Sequence, residues 1–413
     1  MWELVAAVRR GDVDEVTALL GSGADPDTLE DGLPVLCLAV AAYDRPVAEA
    51  LLQAGADPLR RLPDGSTPLT RAVDGGSHLL TYALATSRIP LPAPARAELL
   101  ARARRWAEAG PEAELRRITG HTGPVMRIRV EDDEVGWWSE QLTLGGTTVR
   151  DEHRAVLTSM EERYGIRTPF DELVDRALAH PDRNHVVWLD VVFTLGRRLD
   201  EETWQWTRDL LNHPDRLYRL LAADILLFLI LGDFVTGRDP FWDRGRELVP
   251  WAEQEEDPEV LAVILQAMTH DSAPEIEAVG LSHLAHPDPR VRAQVTDALG
   301  HSEDGRSQAG PESLTAVLTL ARDEDPGVRE AACRWLAHYR GPDPEVGDAL
   351  VALTHDERQP IRICAVSGLA YRDDPRCVEA EHRIGPVDAE QPFDERLLDV
   401  WRYQRRQEAA GGS

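Results

Sequence analysis

Lysine is absent from this chain of 413 residues; all 45 of its basic residues are arginine. That removes Schiff-base lysines, Walker-type phosphate loops and Ser-Lys dyads from the chemistry available to it. Cysteine is scarce. The four residues Cys37, Cys333, Cys364 and Cys377 include no CxxC pair, which argues against a zinc ribbon or a thioredoxin-type couple. Long apolar runs are missing too. The run Ile225 to Leu231 is far too short to span a bilayer and reads as a buried helix, so no membrane partner is expected. The motifs GxSxG, GxGxxG and HExxH do not occur. Positive charge is outnumbered, 45 basic against 73 acidic residues, a formal charge of −28. Such a balance argues against non-specific binding to nucleic acid or to an anionic membrane. Met1-Trp2-Glu3 opens no signal peptide, so the expected location is a reducing cytoplasm.

Against these absences stands a repeated turn and helix. In residues 286–300, HPDPRVRAQVTDALG, the prolines stop the preceding segment and Asp288 can cap the next helix. Val291, Val295, Ala298 and Leu299 then form one apolar stripe, and Gly300 suits a left-handed stop. DEDPGVREAACRWLAH from Asp323 and DERQPIRICAVSGLAY from Asp356 repeat the pattern at about 33 to 37 residues. Looser copies begin at His180, His213 and Glu255. A helix with one apolar stripe cannot bury it alone, so the copies must stack. The pattern resembles HEAT-like repeats over about residues 165–405, also seen in phycobilin-lyase-type proteins. The all-arginine usage resembles that of GC-rich, actinobacterial-type bacterial genomes.

The first 85 residues carry a different repeat. GDVDEVTALLGSGADP ends at Pro26 and RPVAEALLQAGADP at Pro58, with DGLPVLCLAV and DGSTPLTRAV about 33 residues apart. This resembles ankyrin repeats: a half-repeat at 2–20, a full one, and a degenerate third to about Thr86. Thr67 fits the family's capping position, whereas Leu33 replaces it in the earlier copy. Cys37 and Thr70 stand where the family has histidine, which puts that polar network in doubt. Residues 87–95 form a proline-rich break, and 96–118 read as a helix with an arginine-rich face. Residues 123–150 alternate instead: Met126, Ile128 and Val130 share one face, Arg127 and Arg129 the other. Trp137 and Trp138 would point to opposite faces.

The expected architecture is therefore mainly α. Two α-solenoids, ankyrin-like then HEAT-like, are separated by a small β insert. The expected parts are ankyrin-like repeats at 1–86, a connector and helix at 87–122, the insert at 123–150, the HEAT-like solenoid at 151–405 and a frayed tail at 406–413. Stacked repeats would line Arg292, Arg329 and Arg362 into a ladder. That ladder is either a stripe for an anionic partner or, as the economical reading has it, a set of pairs with acids of neighbouring turns such as Asp288 or Asp325. The histidines of the three His-Pro-Asp turns read as turn residues rather than metal ligands. Asp151-Glu152-His153 carries little weight, because helix neighbours do not face one another. The function expected is a non-enzymatic scaffold for a protein or basic peptide, without cofactor, metal or catalytic residues. Its candidate contacts are Asp31, Asp64, Trp137, Trp138 and the three ladder arginines. The competing readings are a HEAT-like-repeat DNA glycosylase and a lyase-like accessory protein.

Overall fold

In the computed structural model, residues 2–87, 89–132, 136–231, 241, 244–268, 273–299, 310–386 and 394–411 are described. The architecture is mainly α and repeat-built, with two small antiparallel sheets. Contacts divide it into two compact units, Met1–Leu195 and Gly196–Ser413.

Six helices open the first unit as three stacked pairs: α1 (Trp2–Arg10) with α2 (Val13–Gly21), α3 (Val35–Ala41) with α4 (Arg45–Gln53), and α5 (Pro68–Gly75) with α6 (His78–Ala85). The expected half-repeat at the start is thus a complete pair. Asp12, Asp44 and Thr67 cap α2, α4 and α5 by accepting the N–H three residues on. Thr70, at the position expected for histidine, accepts the Thr67 backbone N–H on its Oγ1 and completes a capping box. The cap of α3 is Pro34, not Leu33 as the spacing suggests, and it makes no side-chain cap bond. Gly23 and Gly55 of the two Gly-Ala-Asp-Pro runs sit at φ of 99° and 101°, a region open to glycine and strained for other residues. Between β1 (Leu29–Glu30) and β2 (Leu33–Pro34), Asp31-Gly32 turns with φ positive at both residues, the two-residue hairpin turn that Asp-Gly favours.

The stack does not stop at α6. Helix α7 (Ala93–Ala109) packs on α5, and α9 (His153–Arg163) packs on both α6 and α7. Together they add a fourth pair to the layers, with Leu99, Ala103, Val156, Leu157 and Met160 in the same core as Leu36, Leu51 and Leu69. The segment between them holds α8 (Pro111–Thr119) and the strands β3 (Met126–Asp132), β4 (Trp137–Leu144) and β5 (Thr147–Arg150) in the order β3-β4-β5. The expected β insert is therefore present, lodged inside a helix pair. α9, α10 (Phe170–Leu178) and α11 (Val186–Gly196) fall with the N-terminal unit, apart from the last residue of α11. The sequence reading instead begins the second solenoid at residue 151. One sheet face, Leu142, Leu144 and Val149, covers Trp106 and Leu115. The other leaves Met126 and Ile128 58% and 46% exposed.

The second unit is a regular stack. α12 (Glu201–Leu210) packs on α13 (Arg216–Leu231), and the short α14 (Val249–Ala252) on α15 (Pro258–Ala267). The pairs α16 (Pro274–Ser282) with α17 (Pro289–Ala298), α18 (Pro311–Leu320) with α19 (Pro326–His338), and α20 (Pro344–Leu353) with α21 (Gln359–Tyr371) follow. Helices α13, α15, α17, α19 and α21 lie side by side in sequence order, so each apolar stripe is covered by its neighbours. After α22 (Arg376–Ala380), α23 (Asp399–Gly411) packs on α21. The tail expected to fray from residue 406 is helical to Gly411. Arg406 reaches the Ala370 carbonyl and the Asp373 carboxylate and ties it down. The Gly300 stop, and the loop 237–244 apart from Phe241 and Arg244, lie outside the described residues.

Candidate functional site

The His-Pro-Asp and acidic turns of the second unit follow one chemical rule. The first side chain of each turn accepts the N–H two residues on. His213 and His286 do so with Nδ1, and Glu255, Asp323 and Asp356 with a carboxylate oxygen. Six residues after that position, an arginine donates back to the turn's first two carbonyls: Arg219, Arg292, Arg329 and Arg362 all do this. The other side of the guanidinium reaches the next turn. Arg219 pairs with Glu255, Arg292 with Asp323 and Arg329 with Asp356, at 2.7–2.8 Å. Where the preceding copy has Leu261 or Val186 in place of arginine, the turn carries a histidine, His286 or His213. A neutral imidazole satisfies the turn N–H without leaving a carboxylate unpaired in a partly buried site. Arg362 ends the series on the Ile384 carbonyl. The ladder arginines are thus engaged in register between copies. Their acids are Asp323 and Asp356; Asp288 and Asp325 cap helices instead.

In the first unit, three consecutive residues point into three different contacts. Asp151 faces two imidazoles: His185 Nε2 at 3.3 Å and His180 Nδ1 at 3.5 Å from the same carboxylate oxygen. Glu152 accepts from the Ser139 hydroxyl and the His78 backbone N–H, both at 2.6 Å. The His153 ring stacks on Trp106 at 4.4 Å between centroids, and its Nε2 meets the Asp74 carbonyl at 3.3 Å. Trp106 Nε1 donates to the Asp74 carboxylate, which also holds Arg102. Gly76 permits this closeness, because a Cβ there would lie 2.2 Å from the Arg150 carbonyl oxygen and 2.4 Å from His153 Cε1. Burial drives the His153 imidazole down to about 4 and lowers His180 as well. Burial alone would raise Asp151, but the His185 hydrogen bond, the two neighbouring imidazoles and the Glu140 N–H outweigh it and hold the carboxyl below its usual range.

Asp151, His180 and His185 are close enough together to suggest a metal centre, with ligand atoms all within 4.8 Å of one another. The donor set does not fit one. The Val187 N–H donates to His185 Nδ1, so in the neutral ring Nε2 carries the proton and donates to Asp151. A ring binding metal through Nε2 would instead carry its proton on Nδ1, facing that N–H. His180 Nε2 is buried and, among the described residues, has no hydrogen-bond acceptor for the proton a metal-bound ring would place there. The trio is a buried carboxylate that accepts from His185 Nε2 and the Glu140 N–H, with the His180 ring beside it.

Two clefts flank this junction. One, of about 340 Å³, is lined by Tyr43, Leu79, Trp137, Trp138, Arg150 and Glu152 among others. The second, of about 570 Å³, is bordered by Arg71, Arg102, Arg105, Arg117 and Ile118. Each of those four arginines has an acid beside it, with Arg105 and Arg117 sharing Glu114. Tyr43 stands between the clefts, its hydroxyl within 3.0 and 3.1 Å of the Gly75 and Thr148 carbonyls and its ring under Arg150. The structure therefore brings Trp137 and Trp138 to one cleft, although they belong to opposite strand faces. Trp137 packs on Phe193, and Trp138 meets His185 edge-on with the Arg129 guanidinium 4.4 Å above its ring. Asp31 and Asp64 stand apart from them. Asp31 forms the hairpin turn, and Asp64 accepts from Ser66 and Arg71, whose hydrogen bonds hold its carboxyl down to about 2.

Residues 305–370 match the family model for HEAT repeats. No curated protein matches the chain. Among solved structures, it is similar to YibA of Escherichia coli, at 16% identity over 59% of this chain and 97% of that one, with a TM-score of 0.42. An engineered protein is similar at 15% identity over 98% and 93%, with a TM-score of 0.44. A chain of the Pds5–Scc1 complex is similar at 13% identity over 98% and 62%, with a TM-score of 0.34. Among the described residues no helix is long and apolar enough to cross a membrane. The protein is an α-helical repeat protein with a HEAT-repeat segment in its second unit.

Proposed function

We propose that the chain is a non-enzymatic scaffold whose N-terminal pairs are ankyrin repeats, whose second unit is HEAT-like throughout, and whose partner is a basic protein or peptide segment. The observation that carries this reading is the 340 Å³ cleft, where Tyr43, Trp137 and Trp138 offer aromatic surface beside the exposed Glu131 on a scaffold of packed helices, with Arg45 and Arg150 also on its wall. Aromatic side chains supply much of the binding energy at protein interfaces. A formal charge of −28 steers a basic segment towards such a surface. The glycosylase reading requires a cationic trough for phosphates. Arg219, Arg292 and Arg329 are each neutralised by an acid of the next turn, which removes the recurrent cations from that role.

The test is an array of random peptides sorted by net charge and probed with the full chain, wild type and Leu79→Arg. Leu79 lies half-buried on the cleft wall, so the change fills the cleft with a positive charge while leaving the core in place. Basic peptides with an apolar residue should be retained by the wild type and lost in the variant. Equal capture of acidic and basic peptides, or capture unchanged by Leu79→Arg, would contradict the assignment.

A further inference from the structure

Strand β3 is seven residues long and, among the described residues, pairs on one side only, with β4. An open edge of that length is a template for another strand. Met126 and Ile128 face outward on it, and Arg127, Arg129 and Glu131 occupy the opposite face at 44%, 54% and 59% exposure.

We infer that β3 is a self-recognition edge, through which two copies of this chain join their sheets antiparallel with Arg129 of each opposite Glu131 of the other. The argument is one of register. Side chains alternate, so only registers in which paired residue numbers sum to an even value keep charged face on charged face. A sum of 256 sets Arg127 against Arg129 twice, and 258 sets Arg129 against itself between two Arg127–Glu131 pairs. A sum of 260 opposes Arg129 to Glu131 twice, places Val130 against Val130 on the two-fold axis, and opposes no like charges. Directly opposed unlike charges favour a pairing and like charges disfavour it, so the charge order selects the last register. Such a contact is isologous and closes as a dimer. Arg129 is already held for it, 2.8 Å from Glu131 of its own strand and over the Trp138 ring. The net charge of −28 repels the second copy at low ionic strength. At about 0.15 M salt the screening length is roughly 8 Å, which confines that repulsion while leaving contact pairs attractive.

Sedimentation of the full chain over roughly 1–100 μM at about 0.15 M salt should show a reversible monomer–dimer equilibrium. Glu131→Arg should weaken the dimer at least about tenfold, and Arg129→Glu combined with Glu131→Arg should restore it to within about threefold. Both side chains are exposed, so circular dichroism should show these variants folded. Val130→Cys should cross-link two copies under mild oxidation. A wild type that stays monomeric over that range overturns the inference. So does a dimer indifferent to Glu131→Arg, one not restored by the exchange, or an edge that takes up an unrelated extended peptide but never a second copy.

Discussion

His153 has no room for a proton. It is fully buried against Trp106, and burial lowers its folded-state pKa to about 4, against about 6.5 when unfolded. The unfolded chain therefore binds a proton between those values that the native chain refuses. Stability from this residue is complete above pH 6.5 and declines as pH falls towards 4, by roughly 3 kcal/mol in all. Urea titrations of the wild type and of His153→Phe, which keeps a stacked ring without a titrating nitrogen, should diverge over that window and run parallel above it. Arg329 makes a second residue-scale case. Its loss leaves Asp356, whose side chain is only 6% exposed, without its partner and strips a donor from two turn carbonyls. Arg329→Gln should cost about 1–3 kcal/mol. Arg405→Gln, which removes an exposed pair with Glu408, should stay within about 0.5 kcal/mol. Chemical denaturation of both variants separates the two outcomes.

At the scale of elements, what could be read from the chain was what local spacing encodes. The apolar stripes, the capping aspartates and the alternating insert follow from residues within a few positions of one another. The fourth N-terminal helix pair does not, because α7 and α9 are brought together across α8 and the sheet. Asp151-Glu152-His153 looks inert by helical spacing, and its three residues do diverge; their partners lie up to 79 positions away. Arg219 was within reach. The Val-Arg pair conceals it, since tyrosine precedes it, yet it stands six residues after the turn's first position, as Arg292 and Arg329 do. The close approach at Gly76 gives an element-scale prediction. Gly76→Ala should destabilise by about 2–4 kcal/mol through overpacking and a left-handed backbone. Gly23→Ala, with φ also positive but open space around its Cβ, should cost only about 1 kcal/mol. Thermal melts of the two variants make the comparison.

On the scale of the whole molecule, charged groups are used in two ways. In the second unit they set register: the ladder couples neighbouring copies, so Arg292→Gln and Asp323→Asn should show a coupling energy of about 1–3 kcal/mol in a double-mutant cycle. In the first unit, buried acids and imidazoles fix the junction of helices and sheet, while Tyr43, Trp137 and Trp138 remain at an open cleft. The excess of 73 acidic over 45 basic residues is then a property of the molecule towards its surroundings. The most direct measurement is the affinity of the full chain for a charge-matched pair of peptides, one basic and one acidic, followed calorimetrically as salt is raised. The account predicts that the basic peptide binds at the Trp137–Trp138 cleft, weakens steadily with salt and is lost in Leu79→Arg. Preference for the acidic peptide, or binding of the basic one that neither salt nor Leu79→Arg changes, would contradict it.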